Sequence, residues 1–227
     1  MDMPIRASCR ADLEKLLDNY EYELENIENM SELNENISNV NLVGIGRDCS
    51  KLCYLIKKHI GNDSDELIKW LARKSDIEFK IGHNTKGYRQ IELKYSSYSY
   101  SGDSDKEIGE IFKRRNKKTR AIDFYNGAVK KYRKSIHFAR QIEDGQVYEK
   151  NLKKGEDAAI QSIGFSFNKI AYVYVSMYDI TKDDIFLEEA KLANEYSKHA
   201  FVKTNVDCPG LNIVSKKISY REDKIVG

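Results

Sequence analysis

Apolar residues recur at three- and four-residue steps near the start of the chain: Leu13, Leu16, Leu17, Tyr20, Leu24, Ile27, Met30, Leu33 and Ile37. That period predicts an amphipathic helix of about 25 residues. Its near-heptad rhythm suits packing on the protein's own core, or pairing of two chains through residues 11–37. Asn41 to Gly46 reads as a short strand or turn, after which Asp48 is placed to cap a helix carrying Leu52, Cys53, Leu55, Ile56 and Ile60. Asp63, three residues before Glu66, predicts a second capped helix through Leu67, Ile68, Trp70 and Leu71.

The period then changes to two. In Asp76-Ile77-Glu78-Phe79-Lys80-Ile81 and again in Gln90-Ile91-Glu92-Leu93-Lys94-Tyr95, charged or polar residues alternate with apolar ones, and Gly82, Asn84 and Gly87 lie between. This predicts an antiparallel β-hairpin near residues 76–95 with one buried face. The tyrosines and serines of Tyr95 to Gly102 then read as a strand end entering a loop. Helical spacing returns with Ser104 and Glu107 as a capping box, continues through Ile122, Tyr125, Val129, Tyr132, Ile136 and Ala139, and ends near Gly145. Residues 157–180 are apolar on nearly every side, which predicts a central core helix. Another helix is expected over 184–202, with a weakly patterned tail after Gly210. The predicted fold is mainly α (α+β), a helical bundle with one β-hairpin. An N-terminal region, 1–102, and a C-terminal bundle, 103–227, are expected to pack as one unit.

Composition agrees: of 227 residues only 13 are Gly and 2 Pro, so long helices meet few breakers. No stretch reaches the roughly 18 uncharged apolar residues of a membrane span, and the first twenty residues carry no secretory pattern. With four scattered cysteines, the expectation is a cytoplasmic protein with free thiols, no membrane partner and no cofactor.

The net charge of +2 hides an uneven distribution, with nine acids and one base in residues 11–36 but fifteen bases and seven acids in 105–155. Lys113, Arg114, Arg115, Lys117, Lys118 and Arg120 form a basic run, continued by Lys130, Lys131, Arg133 and Lys134. Such a series can hold phosphates. Together these features predict a non-enzymatic interaction protein that binds a protein or nucleic acid through its helical surfaces, with the basic series as the contact region.

Residues 163–201 resemble a tetratricopeptide-type helical hairpin. Ile170, Ala171 and Tyr174 stand in its first helix, and Ala190, Ala193 and Ala200 in its second, where paired helices need small residues. The resemblance implies a groove for a peptide or protein.

Two enzymatic alternatives arise from the residues. Asp76 at the start of one predicted strand and Glu92-Leu93-Lys94 on the next resemble the core of PD-(D/E)xK nucleases. That resemblance implies Asp76 and Glu92 as Mg²⁺ ligands and Lys94 as the group that activates water, with Mg²⁺ required only in this reading. A lesser alternative is a cysteine-dependent hydrolase, because Cys49 in the first turn of a helix would have its thiolate favoured by the helix dipole. His83 would then serve as the base.

Overall fold

The computed structural model describes residues 7–33, 39–86, 90–143 and 152–226, and these form eight helices. They are α1 (Arg10–Leu33), α2 (Asn39–His59), α3 (Asp65–Asn84), α4 (Ile91–Arg114), α5 (Lys118–Glu143), α6 (Leu152–Thr181), α7 (Asp184–Thr204) and α8 (Pro209–Val226). No described helix is long and apolar enough to cross a membrane.

The mainly helical expectation holds, but the β-hairpin does not: no strand occurs among the described residues, and both alternating segments lie in helices. The reason is visible in the longer register. Ile77 and Ile81 are four residues apart and extend the buried stripe of Leu67, Trp70 and Leu71 on α3. Ile91 and Tyr95 likewise begin a stripe that continues through Tyr98, Gly102, Asp105, Ile108 and Phe112. Six residues of alternation satisfy a four-residue step as well as a two-residue step, and twenty residues decide between them.

The Tyr/Ser segment is therefore not a loop but the middle of α4, with Ser97, Tyr98, Ser99, Ser101 and Gly102 buried. Gly and Ser are weak helix formers, so this helix depends on its neighbours. They come very close: a Cβ on Gly102 would lie 2.7 Å from the Tyr132 ring, and one on Gly109 would lie 2.6 Å from Tyr125. Ser104, expected as a cap, is instead buried mid-helix. Residues 102 and 103, where the pattern divides the chain, both lie within α4.

Other boundaries move similarly. Asn41 to Gly46 belongs to α2. Ser64 rather than Asp63 caps α3, accepting the Leu67 N–H at 3.1 Å, while Glu66 accepts from Trp70 Nε1. The tail after Gly210 is helical, with Val214 and Ile218 buried. Gly145 lies outside the described residues.

Each helix packs on its successor, and α4 also approaches α6 and α6 approaches α8. Several ion pairs also join next-but-one helices. Glu21 of α1 meets Lys69 and Arg73 of α3, Lys57 of α2 meets Glu107 of α4, and Asp179 of α6 meets Arg221 of α8. The even-numbered helices thus form one layer and the odd-numbered ones the other, with a continuous apolar core between them. Within this stack α6 and α7 form a close hairpin. Ala190, Ala193 and Ala200 are buried, and the Ser197 hydroxyl donates to the Gly164 carbonyl at 2.7 Å.

Candidate nucleic-acid interface

The basic run reaches the corner between α4 and α5, where Asn116 in the left-handed region (φ 56°) turns the chain. Half of it is neutralised by the protein's own acids. Lys113 meets Asp179 at 3.1 Å, Arg114 meets Asp63 at 2.5 Å and Arg115 meets Asp65 at 2.5 Å. Arg114 donates from both Nε and Nη2 to the one oxygen Asp63 Oδ1, and this hydrogen bonding keeps its guanidinium above the ordinary value. The acids come from the α2–α3 turn (Asp63), the start of α3 (Asp65) and α6 (Asp179). Lys117, Lys118 and Arg120 are exposed. Arg120 lies 5.5 Å from the Phe112 ring centre, and Lys117 and Lys118 have no acidic partner among the described residues.

Four further cations lie on α5, and helical rotation separates them. Lys131 points inward. Its Nζ lies 2.7 Å from Asp105 Oδ2 and donates to the Ser75 hydroxyl at 2.6 Å; that hydroxyl in turn donates to Asp105 Oδ1 at 2.6 Å. Ser75 is 2% exposed and also bridges to Ser101. Its proton is committed to Asp105, so this Ser/Lys/Asp group is a strut between α3, α4 and α5. Lys130, Arg133 and Lys134 point outward. Arg133 donates to the Tyr174 hydroxyl at 3.0 Å and approaches Glu189 at 4.0 Å. Lys130 and Lys134 have no acidic partner among the described residues. With His137 and Arg140, also exposed, they form a stripe about 15 Å long at 1.5 Å per residue.

Beside this stripe lies an aromatic cluster that sequence reasoning missed. Tyr98 stacks on Phe138 at 5.6 Å and meets Phe79 edge-on at 5.4 Å; His83 stacks on Phe79, and His137 meets Phe138 edge-on. Burial raises the Tyr98 hydroxyl above its usual range. Gly82 permits the approach, since its Cβ would sit 3.1 Å from the Tyr98 ring. Lys134 lies 4.5 Å from the Phe79 centroid and Lys94 lies 4.3 Å from that of Phe138. Each is a cation over an aromatic face. The structure thus joins Lys94 to Lys134. The available signal was the four-residue step from Lys134 to Phe138, which places both on one face of a helix.

The nuclease grouping loses the scaffold on which it was read. On a strand Glu92 and Lys94 share a face; two residues apart on α4 they point to different sides. Glu92 and Asp76 are exposed, and Lys94 donates to the Thr85 carbonyl at 3.3 Å. No group of three His, Cys, Asp or Glu side chains among the described residues is arranged to hold a metal. Cys49 lies inside α2, not in its first turn, and is 1% exposed. Burial, with Cys53 adding to it, pushes its thiol up to about 12, the opposite of what a nucleophile needs.

Comparison with protein-family models, with curated proteins and with solved structures finds no match.

Proposed function

We propose that this chain is a non-enzymatic interaction protein that holds a nucleic-acid backbone on the exposed face of α5. The observation that carries the reading is the pair of unneutralised cations, Lys130 and Lys134, aligned with Arg133 and Arg140 on one helical face and flanked by an aromatic cluster. Cations without internal carboxylates release counterions when they meet phosphates, whereas paired ones must first give up a partner. Lys117 and Lys118, exposed at the turn into α5 and without an acidic partner among the described residues, add further positive charge.

The test is binding of labelled single- and double-stranded DNA and RNA across a salt series, with Mg²⁺ or EDTA. The expected result is affinity that falls steeply between about 50 and 200 mM salt without cleavage in either condition. A salt-independent response, or no binding, overturns the reading.

A protein partner has its own support in α7, where Leu192 and Tyr196, one helical turn apart, are both exposed apolar side chains, as is Val202 near the end of the helix. Helix-in-groove or helix-on-helix contact uses such side chains.

A further inference from the structure

We infer that the nucleic acid held by α5 is single-stranded and that Tyr196 of α7 stacks one of its bases. The inference rests on the backbone-binding reading of α5 and adds a base site beside it. Three side chains lead from the stripe to that site. Arg140, at the end of the stripe, is exposed and has no acidic partner among the described residues. Its guanidinium lies 5.9 Å from the centre of the Phe167 ring of α6. Phe167 in turn stacks on Tyr196, with ring centres 5.0 Å apart and planes inclined by 29°. Tyr196 is 49% exposed and lines an open cleft of about 560 Å³ with Leu192, Glu195, Lys198, His199 and Val202.

The other half-buried or buried rings near basic residues are already covered. A lysine lies over Phe79, over Phe138 and over Tyr172. No cation among the described residues lies over Tyr196, whose ring has Phe167 on one side and borders the cleft. Leu192, one helical turn earlier and also exposed, widens the apolar wall. Glu195 is the carboxylate on that wall, and it pairs with Lys198 at 2.7 Å, so the wall is close to neutral. A nucleobase is a flat ring tied to a phosphate chain, and it binds where an aromatic side chain stands beside unpaired cations. Arg140, Phe167 and Tyr196 supply that combination. A duplex keeps its bases stacked on one another, whereas a single strand has ring faces to offer. The unpaired Arg140, one ring away from the cleft, favours a polyanion as the occupant over a protein or a second copy of the chain.

The experiment is fluorescence anisotropy of the full chain with a labelled single-stranded oligonucleotide, an abasic strand of the same length and the matching duplex, repeated on Tyr196→Ala and Tyr196→Phe. The expected result is that the parent binds the single strand more tightly than the abasic strand by about fivefold or more. Tyr196→Ala should weaken single-strand binding by a similar factor, and Tyr196→Phe should keep it. Neither variant should change abasic or duplex binding, which also shows that both are folded, and Tyr196→Ala should keep the parent's salt slope because no phosphate contact is lost. Equal affinity for all three strands, or parent-like single-strand binding by Tyr196→Ala, overturns the inference, leaves the backbone reading of α5 standing and returns the cleft to a protein partner. No binding of any strand overturns both. A concentration-dependent dimer in light scattering that Tyr196→Ala abolishes gives the cleft to a second copy of the chain and likewise overturns the inference.

Discussion

The corner between α4 and α5 and the outer face of α5 carry the same kind of residue and have opposite electrostatic outcomes. At the corner, Lys113, Arg114 and Arg115 stand consecutively and each meets an acid from elsewhere in the fold. On α5, Lys130 and Lys134 meet none among the described residues, although Lys131 between them is ion-paired in the interior. A dense charge run in the sequence is thus not a charge patch in space. What decides is which carboxylates the fold brings alongside, and a rotation of 100° per residue is enough to send neighbouring lysines to different environments.

The largest effect expected from this contrast is at Lys131. Its side chain is 16% exposed and that of Asp105 is 10% exposed, so Lys131→Ala leaves a carboxylate desolvated and unpaired, at a cost of about 3–5 kcal/mol. Urea denaturation should show it as a lower midpoint at unchanged slope. Removing Asp105 as well should restore much of the loss; a double variant as unstable as the single one would mean that packing, not charge, holds this strut.

A middle-sized effect separates the two regions directly. Lys130→Ala with Lys134→Ala should flatten the log–log salt dependence of nucleic-acid binding by about 2, roughly one for each phosphate contact. Arg114→Ala with Arg115→Ala should leave that slope nearly unchanged. The reverse ranking would move the interface from α5 to the corner.

The smallest effect is a matter of pH. Burial raises the Glu78 carboxyl above its ordinary value, an effect that Lys74 only partly offsets. A carboxyl with a raised folded value contributes stability below its unfolded value, and that contribution is lost as pH rises through the folded one. Glu78→Gln should therefore melt higher than the parent at neutral pH, and its advantage should vanish as the pH is lowered toward 4. An advantage that persists in acid would assign the gain to something other than ionisation.

Much of the helical content was legible because long stripes leave little choice. Ile122 to Ala139 on α5 and the apolar 157–180 segment of α6 stand where their periodicity put them. The segment 76–95 misled because its two alternating stretches are six residues long and obey both periods. Gly82 and the serines of α4, read as turn and loop signals, serve close helix packing instead. Of the candidate site, the identity of the basic residues was legible and their partners were not. Asp63, Asp65 and Asp179 lie about fifty or more positions away from the cations that they neutralise.

The sequence by itself determined that this chain is mainly helical, which of its α5 residues face a core, that residues 157–180 form a core helix, and that its charge is unevenly spread. Those properties depend on local periodicity and composition. Only the tertiary structure decided that Lys131 is a buried strut while Lys130 and Lys134 are exposed, and that Lys94 joins Lys134 over an aromatic cluster. These depend on contacts between distant segments, whose energies of burial and pairing outweigh any six-residue pattern.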